Sequence, residues 1–186
     1  AISAGSMKAN YKGTHGITAN TWTYLTVVRN GTNLKIYVNA TEITTTVYTA
    51  ISSNSLPNLT SSPRFGNAYL NSAWQPLKGD MDEIRLFNTA FTTSDVQASY
   101  LAGLTRYDQT HIKGDSIVKV EGDSSRRISV GGENIDKNTV GLWHLDEGGG
   151  SDDYIKDFTA NAGHGTPTGT TYSNSGKIGG ARSFNG

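Results

Sequence analysis

An antiparallel all-β fold with one short helix is the class this sequence predicts, on three observations. The 186 residues carry 22 Gly and abundant Ser and Thr with only 17 % charged residues, which favours short strands joined by tight turns. A period-two hairpin follows Trp22, and a second alternating run lies at residues 81–88. Helical periodicity is confined to one stretch, near residues 94–102.

The hairpin is the clearest element. Residues 22–29 (Trp-Thr-Tyr-Leu-Thr-Val-Val-Arg) are rich in β-branched and aromatic side chains, and Asn30-Gly31 then supplies a turn that tolerates positive φ. Residues 33–39 return with Leu34, Ile36 and Val38 on one face, expected inward, and Lys35 and Tyr37 on the other. Residues 42–49 continue as a polar-faced strand, and residues 51–63, with two Pro, read as an irregular loop. In residues 81–88 alternation places Asp82, Ile84 and Leu86 on one face against Glu83 and Arg85. The helix is capped by Thr92 or Thr93, has Asp95 at the positive end of its dipole, and is closed by Gly103. Residues 104–138 read as a charged linker with a possible small hairpin of residues 116–121 and 127–130.

Charge excludes several functions. Lys plus Arg and Asp plus Glu are 16 each, so no basic surface for nucleic acid or an anionic membrane is implied. No apolar run approaches the ~18 residues needed to span a bilayer. The first residue is Ala rather than Met, so the natural start is expected upstream. Without Cys there is no disulfide framework or thiolate metal site. The three sequons at Asn30, Asn39 and Asn58 are expected by chance in so Ser/Thr-rich a chain and carry little weight.

These motifs resemble the laminin G-like, or concanavalin A-like, jelly-roll domains of bacterial and archaeal extracellular proteins. The resemblance rests on Trp22-Thr23-Tyr24-Leu25-Thr26, Asn30-Gly31, residues 34–39, residues 79–88 and residues 91–96 for the family's latter half. Its opening half resembles Gly141-Leu142-Trp143-His144-Leu145-Asp146-Glu147-Gly148, residues 157–161 and residues 176–186. The halves stand in reversed order, so residues 1–103 form the back of one sandwich, 104–138 a linker and 139–186 the front of another. Middle strands are expected beyond both ends.

The resemblance implies an antiparallel jelly-roll β-sandwich whose first strand pairs with its last, so residues 141–146 are expected antiparallel to residues 81–88. Gly141, Leu145, Ile84 and Leu86 are then the assembly residues. Pairing within one chain or between chains is geometrically allowed. The intermolecular form, which would build a filament by strand complementation, is slightly favoured because each half lacks central strands.

Catalysis is not expected. Asp80 and Asp82 have the spacing of a carboxylate pair on one strand face, but Ile84 interrupts the array that the family's glucanases carry. There is no Cys nucleophile and no G-x-S-x-G, and His15, His111, His144 and His164 are scattered, with His144 expected to be exposed. Glu147-Gly148-Gly149-Gly150 lacks the Lys-Ser/Thr of a phosphate loop and reads as a turn.

Two binding chemistries remain. Calcium wants six to eight oxygens, and Asp157 and Asn161, near Asp152 and Asp153, offer several on one loop that Asp82 could reach; the resemblance implies calcium hereabouts in some members. The plain alternative is that Asp157 and Asn161 bond loop backbone. Trp22 and Trp143 are expected in the core, whereas Trp74, in a loop outside the repeated motifs, is the candidate glycan platform. The expected protein is a non-catalytic extracellular or cell-surface module, structural or adhesive, whose partners are copies of itself or flanking domains. The alternative is a glycan-binding accessory module.

Overall fold

The computed structural model describes residues 2–3, 6–7, 10–13, 16–51, 64–70, 73–109, 137–148 and 154–186. Two compact units share the chain. The first holds Ala1–Leu77 and Ala90–Leu104 with Gly186, and the second holds Lys78–Thr89 and Thr105–Asn185. This division differs from a split at residues 103 and 138, because Lys78–Thr89 pairs with strands from the end of the chain. Most of the loop expected at residues 51–63 and the small hairpin expected within 104–138 lie outside the described residues.

In the first unit, β1 (Ile2–Ser3) pairs antiparallel with β2 (Ser6–Met7), and β3 (Asn10–Gly13) pairs with the later strand Thr45–Thr49. The central element is β4 (Leu25–Asn30) with β5 (Asn33–Val38), joined by a two-residue turn whose Gly31 has φ 61° and extended by β6 (Thr41–Glu42). The expected strand over residues 42–49 is interrupted and resumes as β7 (Thr45–Thr49). β8 (Asn67–Leu70) and β9 (Ala73–Pro76) form a second hairpin.

Helix α1 spans Thr93–Gln109, longer than expected and running through Gly103. Gly103 is not in a positive-φ conformation, and the residues beyond it, Leu104 to Gln109, include good helix formers, so the glycine costs about 1 kcal/mol without ending the helix. Its start is a reciprocal cap. The Asp95 N–H donates to Thr92 Oγ1 (3.2 Å), while the Thr92 N–H and hydroxyl donate to Asp95 Oδ2 (2.8 and 2.7 Å).

The helix decides which hairpin face is buried. Register sets Val28 and Tyr37 on one side and Leu25, Val27, Ile36 and Val38 on the other. Val96 packs on the first side with Val28 and Tyr37, and the Tyr37 hydroxyl lies 3.2 Å from Thr93 Oγ1. Tyr37, expected outside, is therefore 1 % exposed, while Leu25 and Val27 are 58 % and 56 % exposed. Trp22, expected in the core, precedes β4 and is 38 % exposed.

The second unit has β10 (Lys78–Met81), β11 (Ile84–Phe87), β12 (Thr139–Trp143), β13 (Thr170–Ser173) and β14 (Ala181–Asn185). One sheet runs β10-β14-β13, and a second pairs β11 with β12, all antiparallel. The single strand expected over residues 81–88 is thus two strands with a corner at Asp82-Glu83, where Glu83 takes φ 52°. That corner lets one segment serve both sheets.

Trp143, Leu145 and Ile155 form the core of this unit, with Met81 and Ile84 packed against them. The Trp143 ring folds back over Gly141, where a Cβ would lie 2.4 Å from the ring. Its indole N–H donates to the Gly163 carbonyl (3.0 Å), so the buried polar edge is satisfied.

Candidate functional site

The pairing expected between the opening and closing motifs forms, and it forms within one chain. Ile84 faces Trp143, Arg85 faces Leu142, and Leu86 faces Gly141. This is the intramolecular of the two forms the sequence allows. The four assembly residues accordingly serve the unit's own sheet and core: Gly141 and Leu86 as register partners, Ile84 against the core, and Leu145 within it at 5 % exposure.

At the corner between β10 and β11, Glu83 links two segments distant in sequence. One carboxylate oxygen bonds His144 Nδ1, the other accepts from the Arg85 guanidinium (2.9 Å), and its backbone N–H reaches the His144 carbonyl (3.4 Å). Burial raises the Glu83 carboxyl, yet the His144 and Arg85 partners outweigh it and hold it below its ordinary value. The His144 ring also meets Phe158 edge-on, with centroids 4.5 Å apart. His144, expected exposed, is therefore mostly covered, its side chain 12 % exposed. Its pairing with a glutamate 61 positions earlier had no local signal in the sequence.

Asp82, one residue earlier, turns inward and accepts from the Ile178 N–H through Oδ2 (2.7 Å), whereas Oδ1 is buried without a hydrogen-bond partner. Burial pushes its carboxyl up to about 6, with the Ile178 N–H pulling the other way. Asp80 stays exposed on β10, opposite Ser183. The two carboxylates with catalytic spacing thus part company at the end of the strand.

Asp157 is 3 % exposed and fastens the loop that follows β12. Its Oδ1 accepts from the Leu142 and Thr159 N–H groups (3.1 and 2.9 Å), and its Oδ2 accepts from the Thr159 hydroxyl and the Gly163 N–H (3.0 and 2.9 Å). Burial raises its pKa, but the N–H donors of Thr159, Leu142 and Gly163 prevail and hold it below the ordinary value. Asn161 donates its amide to the Val140 carbonyl (2.8 Å).

Of the three residues named for calcium, Asp82 bonds the Ile178 N–H, and Asp157 and Asn161 do not fit that ion. Both oxygens of Asp157 are occupied by four donors, and Asn161 presents an N–H to backbone. Among the described residues no group of three or more His, Cys, Asp or Glu converges. Asp152 and Asp153 lie outside them.

Trp74 lies in a strand rather than a loop, with Tyr69 as its register partner in the β8–β9 hairpin. Sequence reasoning passed over another aromatic surface. Along residues 154–159 Ile155, Asp157 and Thr159 are buried, and the alternating Tyr154 and Phe158 are 42 % and 38 % exposed, with the Lys156 ammonium 4.5 Å from the Phe158 centroid. A shallow depression of about 470 Å³ is lined by Thr171, Tyr172, Ser173, Asn174 and Ser183. It holds no carboxylate, imidazole or amine.

Short antiparallel sheets, with one helix among the described residues and the opening and closing motifs paired in the second unit, are those of the all-β, concanavalin A-like class. The laminin G-type family model described as the concanavalin A-like lectin/glucanases superfamily matches residues 2–97, just over half of the chain. The chain belongs to that family. No curated protein matches it, and neither does any solved structure. No helix among the described residues is long and apolar enough to cross a membrane.

Proposed function

We propose that the chain is a non-catalytic structural or adhesive module of an extracellular or cell-surface protein. One observation carries the reading: the described carboxylates with a family motif behind them are engaged in folding. Asp157 is held by four hydrogen bonds, Glu83 is bridged to His144 and Arg85, and Asp82 is turned inward to Ile178. Acid–base hydrolysis of a glycoside needs two carboxyl groups facing one cleft across a separation of about 5 to 10 Å. Asp80 and Asp82 support no such pair, since one is exposed and the other points into the unit. Membership of a family whose domains are often extracellular supports the placement outside the cell.

A second reading, a glycan-binding accessory module, is favoured by exposed Tyr154, Phe158 and Tyr172 and by the hydroxyl-lined depression near Tyr172. A glycan array together with reducing-sugar release from β-glucan and xylan separates the readings. The structural module gives neither binding nor release; array binding without release selects the accessory module, and release of sugar would defeat both.

A further inference from the structure

The second unit is not continuous in sequence. Lys78–Thr89 leaves the first unit, enters the second, and returns. Within the second unit it supplies β10, paired with β14 from Lys78 against Asn185 to Met81 against Arg182, and β11, paired with β12. Met81 and Ile84 pack on Trp143, Leu145 and Ile155, Asp82 bonds Ile178, and Glu83 bonds His144. Every one of these contacts joins Lys78–Thr89 to residues beyond 138. The covalent route between them runs through residues 110–136, which at ~3.3 Å each reach up to roughly 90 Å.

We propose that Lys78–Thr89 is an exchangeable segment: it closes the second unit of its own chain, and at high concentration it closes the same unit of a second copy. The inference deepens the structural-module reading and rests on it. The same contacts form in either case, so the balance is set by effective concentration, whose usual order for linked modules is millimolar. Dilute chains close on themselves, and crowded chains exchange. Reciprocal exchange gives a closed dimer, and head-to-tail exchange gives a chain of copies. A formal net charge of zero puts no long-range repulsion between them.

The absence of native Cys makes the test direct. Lys78 and Asn185 are exposed register partners, and opposed residues of an antiparallel pair stand ~4.5–5.5 Å apart at Cα, within disulfide reach. The double variant Lys78→Cys, Asn185→Cys, oxidised when dilute, is expected to run as a monomer with an internal disulfide. Single variants Lys78→Cys and Asn185→Cys are then unfolded together, refolded and oxidised at about 10 µM and about 1 mM, the latter matching the effective concentration of the tether. The control replaces Asn185→Cys by the off-register Asn174→Cys.

Disulfide-linked heterodimer at the higher concentration, at least about fivefold above the control and absent on dilution, is the expected result. An internal disulfide in the double variant without heterodimer above the control overturns the exchange but leaves the structural-module reading intact. Failure of the double variant to close overturns the pairing itself. Hydrolysis or glycan binding, measured separately, bears on the module reading and not on the exchange.

Discussion

Replacing Asp157 with alanine should unfasten the loop after β12, and the size of the effect follows from what it leaves behind. Three backbone N–H groups, of Leu142, Thr159 and Gly163, and the Thr159 hydroxyl lose their acceptor at a residue only 3 % exposed. A buried group left unsatisfied costs about 1–3 kcal/mol, and partial relaxation puts each of the three amides at the low end, for a total of about 3 kcal/mol. For a unit of under a hundred residues that corresponds to a fall of roughly 12–24 °C in Tm.

Asp157→Asn keeps one oxygen for two of the four donors and should lose about half as much. Its amide nitrogen confronts the Gly163 N–H, while the Thr159 hydroxyl can turn to accept. The sign of the pH dependence is fixed. A carboxyl held below its ordinary value contributes stability that is present above the unfolded pKa, near 4, and is lost as pH falls through the folded value. The gap between wild type and Asp157→Asn should therefore be full at pH 7 and close below pH 4. Urea denaturation read by tryptophan emission, with calorimetry, measures all three proteins. A loss below about 1 kcal/mol for Asp157→Ala, or equal losses for the two variants, would refute the four-bond account. Because these oxygens are already taken, EDTA should leave the wild-type Tm unchanged, and a fall would return a metal to the loop.

Asp82 should behave in the opposite way. With its folded pKa raised to about 6, its ionisation opposes folding above that pH and ceases to do so below the unfolded value near 4. Asp82→Asn, which keeps an acceptor for the Ile178 N–H, should be more stable than wild type at pH 7, with the difference shrinking by pH 5; denaturation midpoints at the two pH values decide it. Gly141→Ala places a methyl 2.4 Å from the Trp143 ring and should cost about 1–3 kcal/mol through overpacking. Red-shifted Trp143 emission should accompany the loss, measured in a background where Trp22 and Trp74 are replaced by Phe, and unchanged emission would show that the ring does not sit over residue 141.

By itself the sequence determined those features that depend on neighbours a few positions away. Asn30-Gly31 marked a tight hairpin, Thr92 and Asp95 a helix start, and the two half-motifs an antiparallel sandwich whose opening and closing strands meet. Tertiary structure decided the rest. Alternation defines two faces of the β4–β5 hairpin but not which one is covered, and α1 packed on Val28 and Tyr37, leaving Leu25 and Val27 in solvent. The break at Asp82-Glu83 could not be read from alternation, because it arises where one segment must serve two sheets and Glu83 must reach His144. Gly103 resembled a helix end by composition, yet a glycine stops a helix only when the chain beyond it has somewhere better to go. Asp157 drew notice as an oxygen donor for calcium, but a carboxylate's role is fixed by what surrounds it. Here four protein donors reach it first, and one of them, the Gly163 N–H, comes from a residue with no side chain to hold it off, its Cβ position lying 3.3 Å from Asp157 Oδ2.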